Sequence, residues 1–280
     1  ETVQVGASPQ GKDLHFTFGY DILDRPVGES LPLPDGNRNY YGDAYYYSGC
    51  VYGNSSLNRI RETYGPGAAW IENGKSVKTE YLINADSGEL SCAEFRAEDN
   101  GEDVRLIRSG LYAAGELSVA RTTDEDGKVV YTFTDFEGKL LLTRRMNGTE
   151  PHDTYIVYDD RGRKRIVLPP LAADELTATA SWGCNSSEVI KKYGYVYRYD
   201  GRDRVIEKKL PGCDPVHFVY DRSDRLILKQ NGNNRKDGVW QYYQYDGLGR
   251  EVIWGVLPSS TGREDWEVIF RDTVCCERFI

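Results

Sequence analysis

The sequence predicts an all-β chain: an antiparallel strip of β-hairpins laid side by side, forming a curved open sheet or partial shell. Three observations carry that prediction. First, one pattern, Y-D-x-x-[G/D]-R, returns as Tyr199-Asp200-Gly201-Arg202-Asp203-Arg204, Tyr220-Asp221-Arg222-Ser223-Asp224-Arg225 and Tyr245-Asp246-Gly247-Leu248-Gly249-Arg250. Aspartate favours the first position of a type I turn, and the position three further on takes the left-handed conformation that Gly adopts freely and Asp tolerates. Second, the flanks are strand-like, as in Tyr195-Val196-Tyr197-Arg198-Tyr199 before a tip and Arg204-Val205-Ile206-Glu207-Lys208 after it. Third, the tyrosines at 199, 220 and 245 stand 21 and 25 residues apart, close to two strands plus two turns. One repeat is one hairpin. A lone hairpin cannot hide its apolar face, so neighbours must share a sheet.

Taken in order, residues 1–280 read as a single β domain. The divergent N-terminal part, 1–115, holds a weaker copy, Tyr20-Asp21-Ile22-Leu23-Asp24-Arg25. Pro26, Pro32 and Pro34 favour an extended edge or crossing segment. Residues 37–52 form a tyrosine-dense connection with Tyr40, Tyr41, Tyr45, Tyr46 and Tyr47. Gly65-Pro66-Gly67 reads as a turn and Asn73-Gly74 as a two-residue hairpin signal. Residues 116–170 are hairpins: Asp124–Lys128 and Asp135–Lys139 keep D-x-x-G with Lys for Arg, Asp135 and Gly138 being the turn residues of the second. Thr123 and Thr134 replace the tyrosine, and Tyr158-Asp159-Asp160-Arg161-Gly162-Arg163 restores the full motif.

Residues 171–192 break the rhythm. Leu171–Leu176 holds good helix formers, and Ser186-Ser187 stands where a serine cap belongs, so one or two short helices are expected near 172–192. Residues 193–258 carry the clearest repeats, about six strands, with opposite-edge turns at Leu210–Pro215 and Asn231–Gly238. In the tail, 259–280, Trp266-Glu267-Val268-Ile269-Phe270 reads as a last strand.

Y-D-x-x-G-R tips on a period near twenty, with the run Lys208-Lys209-Leu210-Pro211-Gly212-Cys213-Asp214-Pro215 between two of them, resemble the YD-repeat or Rhs (rearrangement hotspot) family in its Bacteroides-type form. The likeness is strong over 120–257 and weaker before it, where Leu57-Asn58-Arg59, Tyr64–Trp70 and Val77–Tyr81 resemble a block that precedes the repeats in such members. The resemblance implies a β-strip that spirals into a hollow shell around a C-terminal toxin, or a role at the cell surface. The partners it implies are the rest of a larger Rhs polypeptide or a toxin cargo, in an extracellular or cell-surface location. The aspartate-containing self-cleavage signature of some relatives is not found here.

Chemistry is sparse. The chain holds 35 Lys+Arg against 44 Asp+Glu, an acidic balance that argues against nucleic acid or an anionic membrane as partner. No apolar run reaches the length of a membrane span. No signal peptide opens the chain, and Glu1 in place of Met reads as a processed or excised piece. Cys50, Cys92, Cys184, Cys213, Cys275 and Cys276 show no C-x-x-C spacing. A zinc site is therefore not expected, most are read as small buried apolar residues, and any disulfide pairing stays open.

His15, His152 and His217 have no metal-ligand spacing and read as exposed histidines. With neither G-x-S-x-G nor a Walker-type loop, no enzyme activity and no cofactor are expected. Asp21, Asp159, Asp200, Asp221 and Asp246 read as turn residues rather than paired acid–base carboxylates, and Arg25, Arg163, Arg204, Arg225 and Arg250 close the same turns. Tyr195, Tyr197 and Tyr199 share a strand face. They suit packing first, and alternatively a glycan or cell-surface partner stacked on the rings.

Overall fold

The computed structural model describes residues 2–5, 12–54, 56–101 and 103–271. In chain order the elements are β1 Thr2–Val5, β2 Leu14–Tyr20, β3 Pro26–Ser30, β4 Leu33–Pro34, β5 Tyr47–Tyr52, β6 Ile60–Tyr64, α1 Ala68–Glu72, β7 Val77–Ile83, β8 Ala93–Asp99 and β9 Val104–Leu111. There follow β10 Ser118–Thr123, β11 Val129–Thr134, β12 Leu140–Asn147, β13 Glu150–Tyr158, β14 Lys164–Leu168, α2 Pro170–Glu175, β15 Ser181–Gly183 and α3 Glu188–Tyr193. The chain continues through β16 Tyr195–Tyr199, β17 Val205–Lys209, β18 Val216–Tyr220, β19 Leu226–Gln230, α4 Gly232–Lys236, β20 Val239–Tyr245, β21 Glu251–Pro258 and α5 Arg263–Phe270. It divides into two compact units, one of residues 1–91 and 113–152, the other of 92–112 and 153–280.

In the first unit the strands pair antiparallel in the order β2, β3, β5, β6, β7, β10, β11, β12, with β1 and β4 also on β2. Consecutive hairpins put their tips on alternate edges, so Asp124–Lys128 and Asp135–Lys139 stand at opposite margins although their wording is alike. Asn73-Gly74 is not a hairpin. Asn73 caps the C-terminus of α1 and Gly74, at φ 67°, turns the chain out of it, because the preceding Ala68–Glu72 closes one helical turn against the Gly67 carbonyl.

In the second unit β13, β14, β16, β17, β18, β19, β20 and β21 pair antiparallel in that order. A separate sheet of β15, β9 and β8 accompanies them. Apolar residues alternating along these strands form the core: Val104, Leu106, Val157, Ile166, Leu168 and Val196 are all buried. Fully burying such a side chain is worth about 1.5–3 kcal/mol each. The helical insert is present as α2 and α3, and Ser187 caps α3 by accepting the Ile190 amide at 3.4 Å.

The tail departs from the expectation. Trp266–Phe270 is helical, within α5, rather than a strand. Arg263 pairs with Glu267 at 2.7 Å and Trp266 stacks on Phe270 at 5.5 Å, both four residues apart. That helix face rests on Val219, Ile227, Leu228 and Trp240, and burial overrides the alternation of the tail sequence.

Candidate functional site

The repeated tips form the most elaborated polar structure of the chain, and their geometry starts from the aspartate. In each of Asp21, Asp159, Asp200, Asp221 and Asp246, one carboxylate oxygen accepts two backbone amides, two and four residues on. For Asp221 these are Ser223 and Arg225 at 2.8 and 3.0 Å; for Asp246 they are Leu248 and Arg250, both at 2.9 Å. The other oxygen accepts Nε of the arginine four residues on, at 2.6–2.9 Å across the five tips. The backbone closes with the Asp221 amide on the Arg225 carbonyl and the Asp224 amide on the Asp221 carbonyl, and the other tips repeat it. This is a type I turn followed by a left-handed residue. Asp24, Asp203 and Asp224 take that position at φ 59–63°, Gly162 and Gly249 at 74° and 81°. A bulge falls at each of Tyr20, Tyr158, Tyr199, Tyr220 and Tyr245, as a left-handed turn residue requires. Asp135 makes the same two amide contacts, to Glu137 and Lys139, with Gly138 at φ 82°.

A second layer was not visible in the motif. Arg25, Arg59, Arg163, Arg204 and Arg225 also span sideways to the strand alongside. Each guanidinium lies 4.3–5.1 Å from a tyrosine ring of that strand: Arg25 on Tyr52, Arg59 on Tyr81, Arg163 on Tyr199, Arg204 on Tyr220 and Arg225 on Tyr245. The tyrosine hydroxyl donates back to the carbonyl of the residue after that arginine. Thus Tyr52 reaches Pro26, Tyr81 Ile60, Tyr199 Lys164, Tyr220 Val205 and Tyr245 Leu226, at 2.7–3.1 Å. Arginine Nη1 donates onward to the left-handed residue of the next tip, Arg163 to Asp203 at 2.6 Å and Arg204 to Asp224 at 2.8 Å. Arg25 does the same to Asn58 at 3.3 Å, and Asn58 has φ 50°. The Tyr52–Arg59 loop is therefore a further tip. Sequence reasoning passed over it because it lacks the aspartate, although Asn58-Arg59 was its remaining signature.

Charge follows geometry. Burial alone would raise the Asp159 carboxyl, but the Arg163 amide and the guanidinium groups of Arg163 and Arg165 hold it below its usual value. The Arg250 amide, against opposing burial, lowers Asp246 in the same direction. Burial raises the phenols of Tyr199, Tyr220 and Tyr245, so they stay protonated donors. Arg165 bridges Asp159 and Asp99, at 2.8 and 2.9 Å, tying the small sheet to a tip.

The remaining candidates fall elsewhere. Tyr197 lies 5.3 Å from Lys164 Nζ and 5.8 Å from Lys208 Nζ, and Tyr199 sits between Arg163 and Arg165. Tyr195 is half-buried on the same strand. His217 is half-buried rather than exposed, its Nε2 3.5 Å from Glu207, because β17 and β18 place the two directly across from each other; His15 and His152 are also only partly exposed. Cys92 and Cys184 are buried and Cys50 half-buried, whereas Cys213 is exposed in the turn after β17. Burial, with Asp103 nearby, pushes the Cys184 thiol up to about 12, an unreactive state. Cys275 and Cys276 lie outside the described residues. Among the described residues no group of three His, Cys, Asp or Glu side chains is placed to hold a metal, and no helix is long and apolar enough to cross a membrane.

Residues 1–83 match the family described as Domain of unknown function (DUF6443). No curated protein sequence matches the chain significantly. Solved structures do: the Photorhabdus luminescens Tc holotoxin pore with a mutated TccC3 component, at 12% identity and TM-score 0.55, over 90% of this chain and 11% of that one. The TcdB2-TccC3-Cdc42 crystal structure matches at 13% identity and TM-score 0.55, over 93% and 12%, and TcdB2-TccC3 at 12% and 0.54, over 98% and 13%. The chain thus spans roughly an eighth of those chains. Its fold, an open antiparallel strip of hairpins, is like that of the matching parts of those structures.

Proposed function

We propose that this chain is a non-catalytic wall segment of a larger Rhs-like polypeptide, exported or displayed at a cell surface, that encloses a toxin cargo or presents a face to a partner. The observation that carries the reading is the lateral link: Arg25, Arg59, Arg163, Arg204 and Arg225 each join a tyrosine of the strand alongside, which is the chemistry of a wall. The likeness in fold to segments of toxin complexes supports it, as does the resemblance of the Lys208–Pro215 run to Bacteroides-type members. The rings of Tyr197 and Tyr199 have cationic side chains at their faces, which favours packing over glycan stacking.

The test is made on the native source. An antibody to this chain should detect a particle far larger than 280 residues, and electron microscopy of that particle should show a hollow β-shell. A free 280-residue monomer with hydrolytic activity, or one that binds a glycan array through Tyr195, Tyr197 and Tyr199, would overturn the proposal.

A further inference from the structure

The lateral link runs one way, from Arg25, Arg59, Arg163, Arg204 and Arg225 to the following tyrosine, and at β21 it has no taker among the described residues. Carried back to the tip, the strand registers set Arg25 opposite Tyr52, Arg59 opposite Tyr81, Arg163 opposite Tyr199, Arg204 opposite Tyr220 and Arg225 opposite Tyr245. Arg250 stands at the same place in its own tip and its Nε holds Asp246 at 2.6 Å. Yet its side chain is 74% exposed, against 14–18% for Arg163, Arg204 and Arg225. Among the described residues no strand pairs with the outer edge of β21. The chain turns away into α5, which packs on the core around Trp240. The outward row Val252, Trp254 and Val256 is 43, 69 and 56% exposed, whereas Ile227 and Leu228 on β19, flanked on both sides, are 2 and 3%. An eight-residue, largely apolar strand whose outer amides and carbonyls pair with no described strand is a template for another strand.

We infer that the outer edge of β21 is a docking edge for one more hairpin of the same repeat, with a tyrosine opposite Arg250 and an aspartate four residues after it. The inference rests on the wall reading and names the partner of that wall. The incoming tyrosine hydroxyl donates to the Glu251 carbonyl, as Tyr220 does to Val205 and Tyr245 to Leu226. Its ring lies on the Arg250 guanidinium, and its aspartate accepts Arg250 Nη1, as Asp224 accepts Arg204. The contact is continuous with the links already present and repeats their chemistry, so it selects a repeat hairpin over a helix or a flat apolar surface.

The probe is a backbone-cyclised hairpin carrying residues 215–230 of this chain, with its Tyr220–Arg225 tip, added to the intact 280-residue protein. Hydrogen exchange of the amides of 251–257 should slow at saturation, and Trp254 emission should shift, the shift being absent in Trp254→Phe. Arg250→Ala or Arg250→Lys in the protein, or Tyr220→Phe or Asp224→Gly in the hairpin, should each weaken binding about 5–10-fold; the exposed Arg250 variants keep the fold, which thermal melting checks. Unchanged exchange in β21 at saturating hairpin, or binding indifferent to these four substitutions, overturns the docking edge. A large native shell found alongside such a negative result would leave the wall standing and remove only this edge.

Discussion

The tips Tyr220–Arg225 and Tyr245–Arg250 are the same turn with different neighbours. Both aspartates accept the same two amides and the same guanidinium nitrogen within 0.3 Å. The Asp221 side chain is fully buried between the hairpins on either side, while Asp246 retains 14% exposure and its arginine is largely in solvent. Turn geometry is thus a local property of six residues, whereas burial, and with it most of the stabilisation, comes from the hairpin alongside.

The sharpest way to break that comparison is Asp221→Ala against Asp246→Ala. The first removes the buried carboxylate that accepts two amides and both Nε and Nη2 of Arg225, and should cost about 3–5 kcal/mol in chemical denaturation. The second, at the open margin, should cost much less, and equal losses would mean that the turn alone sets stability. Next comes the left-handed residue. Asp224→Ala removes the acceptor of Arg204 and Arg202 and strains φ 62°, for a loss of about 1–2 kcal/mol. Asp224→Gly relieves the backbone part, and the difference between the two isolates it. Tyr220→Phe and Tyr245→Phe delete one hydroxyl each and should cost about 0.5–1.5 kcal/mol, without changing the cation–ring contact.

The smallest effect is in acid. Asp159 is depressed in the folded state, so its contribution is complete above the unfolded carboxylate pKa near 4 and is lost as pH falls through the lower, folded value. Asp159→Asn should be less stable than the parent at pH 6, and its denaturation midpoint should fall less steeply below pH 4. Parallel pH profiles would show that Asp159 does not carry that limb.

The turns were legible in the sequence because aspartate, a left-handed Gly or Asp and the following arginine act within six residues. The lateral link was not, since nothing local says which strand lies next to which, and so the arginine and tyrosine read as closing a turn when they reach across to a neighbour. The Asn58 tip escaped notice because its loop is longer and starts without aspartate. The tail misled through Trp266, Val268 and Phe270, whose spacing suits a strand, while the four-residue pairs Arg263–Glu267 and Trp266–Phe270 decide for a helix once the core offers them a face. Asn73-Gly74 shows the converse: the same dipeptide that closes a hairpin also ends a helix, and the turn of helix before it chooses.

Because Arg25, Arg59, Arg163, Arg204 and Arg225 each address the tyrosine of the strand ahead, the array of linked tips has a polarity, and each linked period is an interchangeable module. Excising one whole period, such as 204–224, brings Arg225 behind Asp203 and still presents an arginine to a tyrosine. Lineages carrying this motif are therefore free to lengthen or shorten by duplication and loss in whole periods, with each new junction already provided for by the old grammar.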